Sequence, residues 1–170
     1  FVYRDRKKPV IAAVDGLATA GGCELVLACD MLVATTRSAF GLAEATRNLI
    51  AGAGGLFRLP RAIGRAVAME AILTGEPFTA QRAYELGMVN KLVEPNTALD
   101  AALDLALRVC KAAPLAVWAS RKIVLASETE SDQTLIDMTN KEFGAVLASE
   151  DTKEGLTAFI EKRPPNWQGK

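Results

Sequence analysis

Three residues near the start of the chain have types and spacing that could do chemistry together. Gly21 and Gly22 stand where an apolar, β-prone run over residues 9–14 gives way to the helix-tolerant Leu25-Val26-Leu27-Ala28, and Glu24 follows Gly21 by three positions. Adjacent glycines let the backbone approach a ligand closely and leave its N–H groups uncovered. The first turn of a helix has unpaired N–H groups and a partial positive charge. Such a place suits an oxygen that gains negative charge during a reaction. Glu24 sets a carboxyl beside it, able to give or take a proton. Spacing alone leaves a second reading open. A Gly-Gly before a helix also serves as a tight turn packed on a neighbour, and an acidic residue in a first turn also serves only to complement the helix dipole.

The elements that must hold these groups follow from the local pattern. Residues 9–14 read as a buried strand. Residues 31–35 read as a second strand and 38–40 as a short third one, which with the intervening helix makes a βαβ unit on a parallel sheet. Glu44 follows that third strand, in a loop with Arg47 and Asn48. Gly52-Ala53-Gly54-Gly55 predicts a flexible entrance to a helix with Phe57, Leu59 and Ile63. No Gly-Lys-Ser/Thr follows, so this is not a Walker loop. Gly64 interrupts that helix, and 66–73 forms another. Thr79 is placed to cap a helix over 80–86, which Gly87 closes, and 88–93 reads as a last strand. From Thr97 onward the pattern is helical: Leu99, Leu103, Ala106, Leu107 and Cys110 share one face, Pro114 opens the next helix, and two more follow the polar break at 128–132. Four helices without strands leave more apolar surface than they can bury among themselves.

Composition narrows the function classes. Half of the 170 residues are hydrophobic, enough for one ordinary core, and 20 basic residues balance 20 acidic ones. No basic field argues for nucleic acid and no polybasic run for a membrane surface. Arg4-Asp5-Arg6-Lys7-Lys8 reads as a solvated charged lead-in. Histidine is absent, which excludes a Ser-His-Asp triad and the common histidine metal sites. Cys23, Cys29 and Cys110 show no metal-ligand pairing and suggest free thiols in a reducing compartment. No apolar run reaches membrane-spanning length and no signal-peptide pattern is present, so a cytoplasmic location is expected.

The run from Pro9 to Asp30 resembles the signature of the crotonase (enoyl-CoA hydratase/isomerase) family: a Pro-Val-Ile-Ala strand, an Asn/Asp-Gly turn at Asp15-Gly16, then Gly21-Gly22-Cys23-Glu24-Leu25. Phe40-Gly41-Leu42-Ala43-Glu44 with residues 52–60, Leu73-Thr74-Gly75 with residues 80–90, and the tail 154–163 are similar to its later blocks, in order, across nearly the whole chain. The resemblance implies an α/β fold, a crotonase-type spiral of ββα units with a C-terminal α-helical oligomerisation region. Residues 1–95 would be part of the spiral core and 96–170 a helical trimerisation region, giving a homotrimer or a hexamer built as a dimer of trimers. Members of the family usually carry further ββα elements ahead of this point, so the chain, beginning at Phe1, is expected to correspond to the C-terminal two-thirds of a longer protein.

The resemblance also implies roles. Hydration of a 2-enoyl thioester needs water activated for attack at the β-carbon, a proton delivered to the α-carbon, and a holder for the enolate-like oxygen between them. In the hydratases that this chain resembles, the residue matching Glu24 helps activate water, the residue matching Glu44 acts on the α-proton, and the N–H matching Gly21 is one donor of the oxyanion hole. The other donor comes from an Ala-Gly-Ala-Asp-like loop that this sequence does not contain. Phe159 and Lys162 match positions that contact the adenine and phosphates of CoA; they read equally as a core phenylalanine and a solvated lysine. The expected activity is that of an enoyl-CoA hydratase-like lyase on an acyl-CoA substrate, with coenzyme A as part of the substrate and no metal or redox cofactor. Dehydration of a carnitinyl-CoA-like thioester and double-bond isomerisation are the alternatives within the family. A non-catalytic acyl-CoA-binding protein is the alternative of another class.

Overall fold

The computed structural model describes residues 1–3 and 6–170, and the chain divides into two compact units, Phe1–Ala106 and Leu107–Lys170. In the first unit the order is β1 (Ile11–Val14), β2 (Leu17–Thr19), α1 (Gly21–Ala28), β3 (Met31–Thr35), β4 (Ala39–Gly41), a 3₁₀ turn (Glu44–Arg47), α2 (Gly55–Ile63), α3 (Arg65–Thr74), β5 (Phe78–Thr79), α4 (Ala80–Glu85), β6 (Lys91–Val93) and the start of α5 (Ala98–Cys110). The strands form two three-stranded sheets rather than one. Parallel β1-β3-β6 holds Ala12 against Leu32 and Ala34 against Leu92. The second sheet, β2-β4-β5, pairs β2 with β4 in parallel and β4 with β5 antiparallel. The third strand expected of the βαβ unit therefore lies in this second sheet.

The two sheets trap α1 and α2 against a core of Cys23, Leu27, Leu32, Phe40, Leu42, Leu59 and Ile63. Phe40 meets Phe78 with ring centroids 6.1 Å apart, which fastens the two-residue β5 to β4. A polar knot fixes the β1–β2 corner. Asp15 accepts from Thr35 Oγ1 at 2.7 Å, Arg37 Nε at 2.7 Å and the Asn96 N–H at 2.8 Å. Buried Ser38 accepts from the Gly16 N–H and donates to Val14 O, both at 3.0 Å. Thr79 caps α4 as expected, its hydroxyl accepting from the Arg82 N–H at 3.2 Å.

One expectation needs correction. Arg4 and Asp5 of the charged lead-in lie outside the described residues, but Arg6 is not simply solvated: it donates to Ala28 O at 2.8 Å and to Asp30 at 3.1 Å, at the end of α1. On α5 the buried face is Ala98 and Ala102, packed with Val33, because small side chains let the helix approach β3 closely. The stripe of Leu99, Leu103 and Leu107 on the same helix is more than half exposed.

The second unit holds α6 (Pro114–Ala126), α7 (Asp132–Leu147) and α8 (Glu150–Glu161). Ser131 and Ser149 cap α7 and α8 by accepting from Thr134 and Thr152 N–H groups. Two acids one turn apart on α8 hold the last residues. Buried Asp151 accepts from the N–H groups of Gln168 and Gly169 at 2.7 and 2.9 Å. Glu154 accepts from both Arg163 Nη1 and Nη2, at 2.6 and 2.9 Å, and from the Asn166 N–H at 2.7 Å. This bidentate pair and the amide hold the Glu154 carboxyl at about 2, against an ordinary 4.5. A carboxyl whose pKa falls on folding stabilises above its ordinary value and loses that contribution as pH drops through the folded one. The thermal midpoint of the wild type should therefore decline from about pH 4.5 towards 2, and Glu154→Gln should show a lower midpoint at neutral pH with a shallower acid limb. Calorimetry of both proteins across that range checks it; parallel acid limbs would assign the decline to other groups.

Candidate active site

Gly21 is the first residue of α1, and its N–H finds no acceptor among the described residues. It is exposed, and a side chain built on it would meet nothing within 4 Å, so the helix start faces open space. Ala20, just before, has φ 51° and ψ −128°. That region is sparsely populated for a residue with a Cβ and costs on the order of 1–3 kcal/mol. Two bonds hold the strained peptide: the Ala20 N–H donates to Gly41 O at 3.0 Å, and its carbonyl accepts from the Glu24 N–H at 3.1 Å. The chain thus turns sharply from β2 into α1 and leaves the Gly21 N–H without an acceptor among the described residues.

The side chain of Glu24 reaches two backbone amides. Its Oε1 accepts from the Ala53 N–H at 2.7 Å and the Gly55 N–H at 2.9 Å. Both bonds fall on one oxygen, which orients the carboxylate and leaves Oε2 outside this pair of bonds. The residue is 4 % exposed. The glycine run at 52–55 is more than a flexible helix entrance. A Cβ on Gly55 would stand 2.8 Å from Leu42 Cδ1 and 3.1 Å from Glu24 Cγ, so only glycine lets this amide reach the carboxylate. Buried Arg58 holds the same turn from behind, donating from Nη1 to Ala53 O at 3.0 Å. Arg58 also donates to Val2 O. Sequence reasoning missed Ala53, Gly55 and Arg58 as a cradle. The one available signal was four near-consecutive glycines and alanines with a buried-type arginine one turn later.

Glu44 opens the 3₁₀ turn that follows β4. Its Oε2 is buried and has no hydrogen-bond partner among the described residues. Cys23, wholly buried, feels the charge of both acids. Burial above all pushes its thiol up to about 12; the charges of Glu44 and Glu24 push the same way, against the backbone of Gly41. A thiol so placed stays protonated at neutral pH and is no nucleophile. The structure thus brings Gly21, Glu24 and Glu44 to one region of the first unit. Phe159 and Lys162 lie in the second unit, on and just after the last turn of α8. Phe159 is 84 % exposed rather than a core residue, and Lys162 caps the helix with φ 55°.

The model of the family described as enoyl-CoA hydratase/isomerase matches residues 3–170. The chain belongs to that family. It is similar to the 2,3-dehydroadipyl-CoA hydratase of Escherichia coli K12, 39 % identical over 96 % of this chain and 64 % of that protein. It is also similar to the carnitinyl-CoA dehydratase of Salmonella arizonae, 40 % identical over 97 % of this chain and 65 % of that one. Among solved structures, the enoyl-CoA hydratase EchA1 of Mycobacterium marinum matches with a TM-score of 0.96 at 50 % identity, covering all of this chain and 70 % of that one. An enoyl-CoA hydratase of Mycobacterium tuberculosis H37Rv matches with a TM-score of 0.97, again at 50 % identity, covering all of this chain and 68 % of that one. The chain therefore has the crotonase fold, and it spans slightly under two thirds of the length of the curated relatives it matches. No helix of the described residues is long and apolar enough to cross a membrane, and no group of three or more potential metal ligands occurs among them.

Proposed function

We propose that this protein is an enoyl-CoA hydratase that adds water to 2-enoyl-CoA thioesters and removes it from 3-hydroxyacyl-CoA thioesters. The observation that carries the reading is the pair of carboxyls on separate elements, one tied by two amides and the other with a buried oxygen that has no partner among the described residues. A buried carboxyl oxygen without a partner is costly, and a bound substrate with its water supplies what the site lacks. In the hydration direction Glu24 takes the proton of a water whose oxygen bonds to the β-carbon. Negative charge passes to the thioester oxygen, where the Gly21 N–H stabilises it, and Glu44 delivers a proton to the α-carbon. Water adds across the two carbons overall, and exchange with solvent removes the proton left on Glu24 and restores the one given by Glu44, so the reaction balances without a redox group or metal. Phe159 and Lys162 are proposed to meet the CoA adenine and phosphates, and the exposed leucine stripe of α5 to be covered in a trimer or hexamer.

Relatives named as a hydratase and as a dehydratase, both near 40 % identity, fit one site run in either direction. The test is incubation of the full-length protein with crotonyl-CoA in deuterated water. Hydration with one deuteron fixed at the α-carbon is expected. Migration of the double bond without hydration would replace this reading with isomerase activity, and tight binding without turnover would replace it with an acyl-CoA-binding role.

A further inference from the structure

Leu73-Thr74-Gly75 closes α3, and the site described above makes no use of it. Gly75 caps the helix with φ 71°. A Cβ built on it would stand 2.5 Å from Cγ2 of Thr46 and 3.4 Å from Cα of Ala43. Thr46 lies in the 3₁₀ turn whose first residue is Glu44, and Ala43 caps that turn. Thr46 cannot swing aside freely. Its branched side chain is stiff at χ1, and its Oγ1 donates to Ala43 O at 2.7 Å. The same carbonyl accepts from the Thr46 N–H and from Arg47 Nη1, each at 3.3 Å. On the far side the Asn48 N–H donates to Ala45 O at 3.2 Å and the Leu49 N–H to Glu44 O at 3.1 Å. The turn is a small hydrogen-bonded block, and the end of α3 is the surface it rests on.

We infer that Gly75 is a positioning residue for Glu44: the bare backbone at the end of α3 lets the 3₁₀ turn seat against it, and so sets where the Glu44 carboxyl stands. The inference rests on the proposed role of Glu44 in proton transfer. The carboxyl has a buried oxygen with no hydrogen bond to hold it among the described residues, so its position depends on the block that carries it. A methyl at Gly75 pushes on Thr46 and moves that block. Displacement of a reacting group by about 1 Å can cost on the order of a hundredfold.

The test uses the full-length protein and three variants. Gly75→Ala is expected to lower kcat for crotonyl-CoA roughly 10- to 100-fold, with a much smaller change in KM. Adding Thr46→Ser removes Cγ2 but keeps the Oγ1 bond, and should restore most of that loss. Gly87→Ala is the control. Its φ is 85°, so it carries the same left-handed penalty, but nothing lies within 4 Å of the added carbon, and kcat should stay close to wild type. Amide exchange gives a readout that does not need turnover. The Asn48 and Leu49 N–H groups should exchange faster in Gly75→Ala and return towards wild type in the double variant. Unchanged exchange in Gly75→Ala, no restoration by Thr46→Ser, or an equal loss of kcat in Gly87→Ala overturns the inference. If Gly75→Ala alone does not fold, rescue of folding by Thr46→Ser supports the contact and its failure overturns it. A wild type without turnover sinks the hydratase reading only, and the exchange measurement still decides the role of Gly75.

Discussion

Glu24→Gln and Glu44→Gln are each expected to lower the rate of crotonyl-CoA hydration by about 10²–10⁴-fold while leaving acyl-CoA binding nearly intact, because a positioned acid or base contributes on that order. The two losses should arise differently. Glutamine at position 24 can still accept the Ala53 and Gly55 amides through its carbonyl oxygen, which preserves the cradle, but it replaces Oε2 with an NH₂. Water then meets a donor instead of a base. Glutamine at position 44 puts an amide in a buried place where no described residue satisfies Oε2, and it cannot pass a proton to carbon. The double variant should lose less than the product of the single losses, because groups that act on one transition state are not additive. An isomerase would tolerate Glu24→Gln and fail only with Glu44→Gln. A binder would show no turnover to lose. Steady-state rates with a separate equilibrium measurement of CoA-thioester affinity distinguish these outcomes, and wild-type hydration by either single variant would remove that acid from the mechanism.

How far the site could be read from the sequence depended on the range of each interaction. Gly21, Glu24 and Glu44 stood out because their neighbours along the chain mark them. Ala53 and Gly55 did not, because the group they serve lies 29 and 31 residues upstream and a glycine run looks the same whether it gives freedom or close approach. The strands β2 and β5, of three and two residues, are too short for alternation to register. They are held by pairing with β4 and by the Phe40–Phe78 contact, which local pattern does not encode. On α5 the apolar periodicity was real, but it drew attention to the leucines. Ala98 and Ala102 face β3 because a close helix–sheet approach favours small side chains over large ones. Arg6 looked like one charge among five and is placed by Asp30, 24 residues away. Phe159 looked apolar enough for a core and is exposed, since α8 buries Asp151 and Ala158 instead.

Gly21→Pro should cost roughly a hundred- to a thousandfold in kcat, on the order of 2.7–4 kcal/mol of barrier, if the Gly21 N–H holds the thioester oxygen as it becomes negative. The structure makes this substitution more selective than it is at most helical positions. Gly21 is the first residue of α1, where proline suits the backbone and removes an N–H that the helix does not use. The added ring atoms on the Cβ side enter open space. The exposure to misfolding comes from Ala20, whose φ of 51° and ψ of −128° precede a residue type that restricts its neighbour. Circular dichroism and the thermal midpoint must therefore accompany the kinetics. Gly21→Ala separates the donor from the shape: it keeps the N–H and adds only the Cβ, so it should lose less than Gly21→Pro. Because the oxygen gains its charge on the way to the transition state, kcat and kcat/KM should fall together and the affinity for the unreacted thioester should change little. A folded Gly21→Pro protein with the wild-type kcat would mean that the oxyanion is stabilised elsewhere, and that the strained entry at Ala20 serves the packing of α1 rather than catalysis.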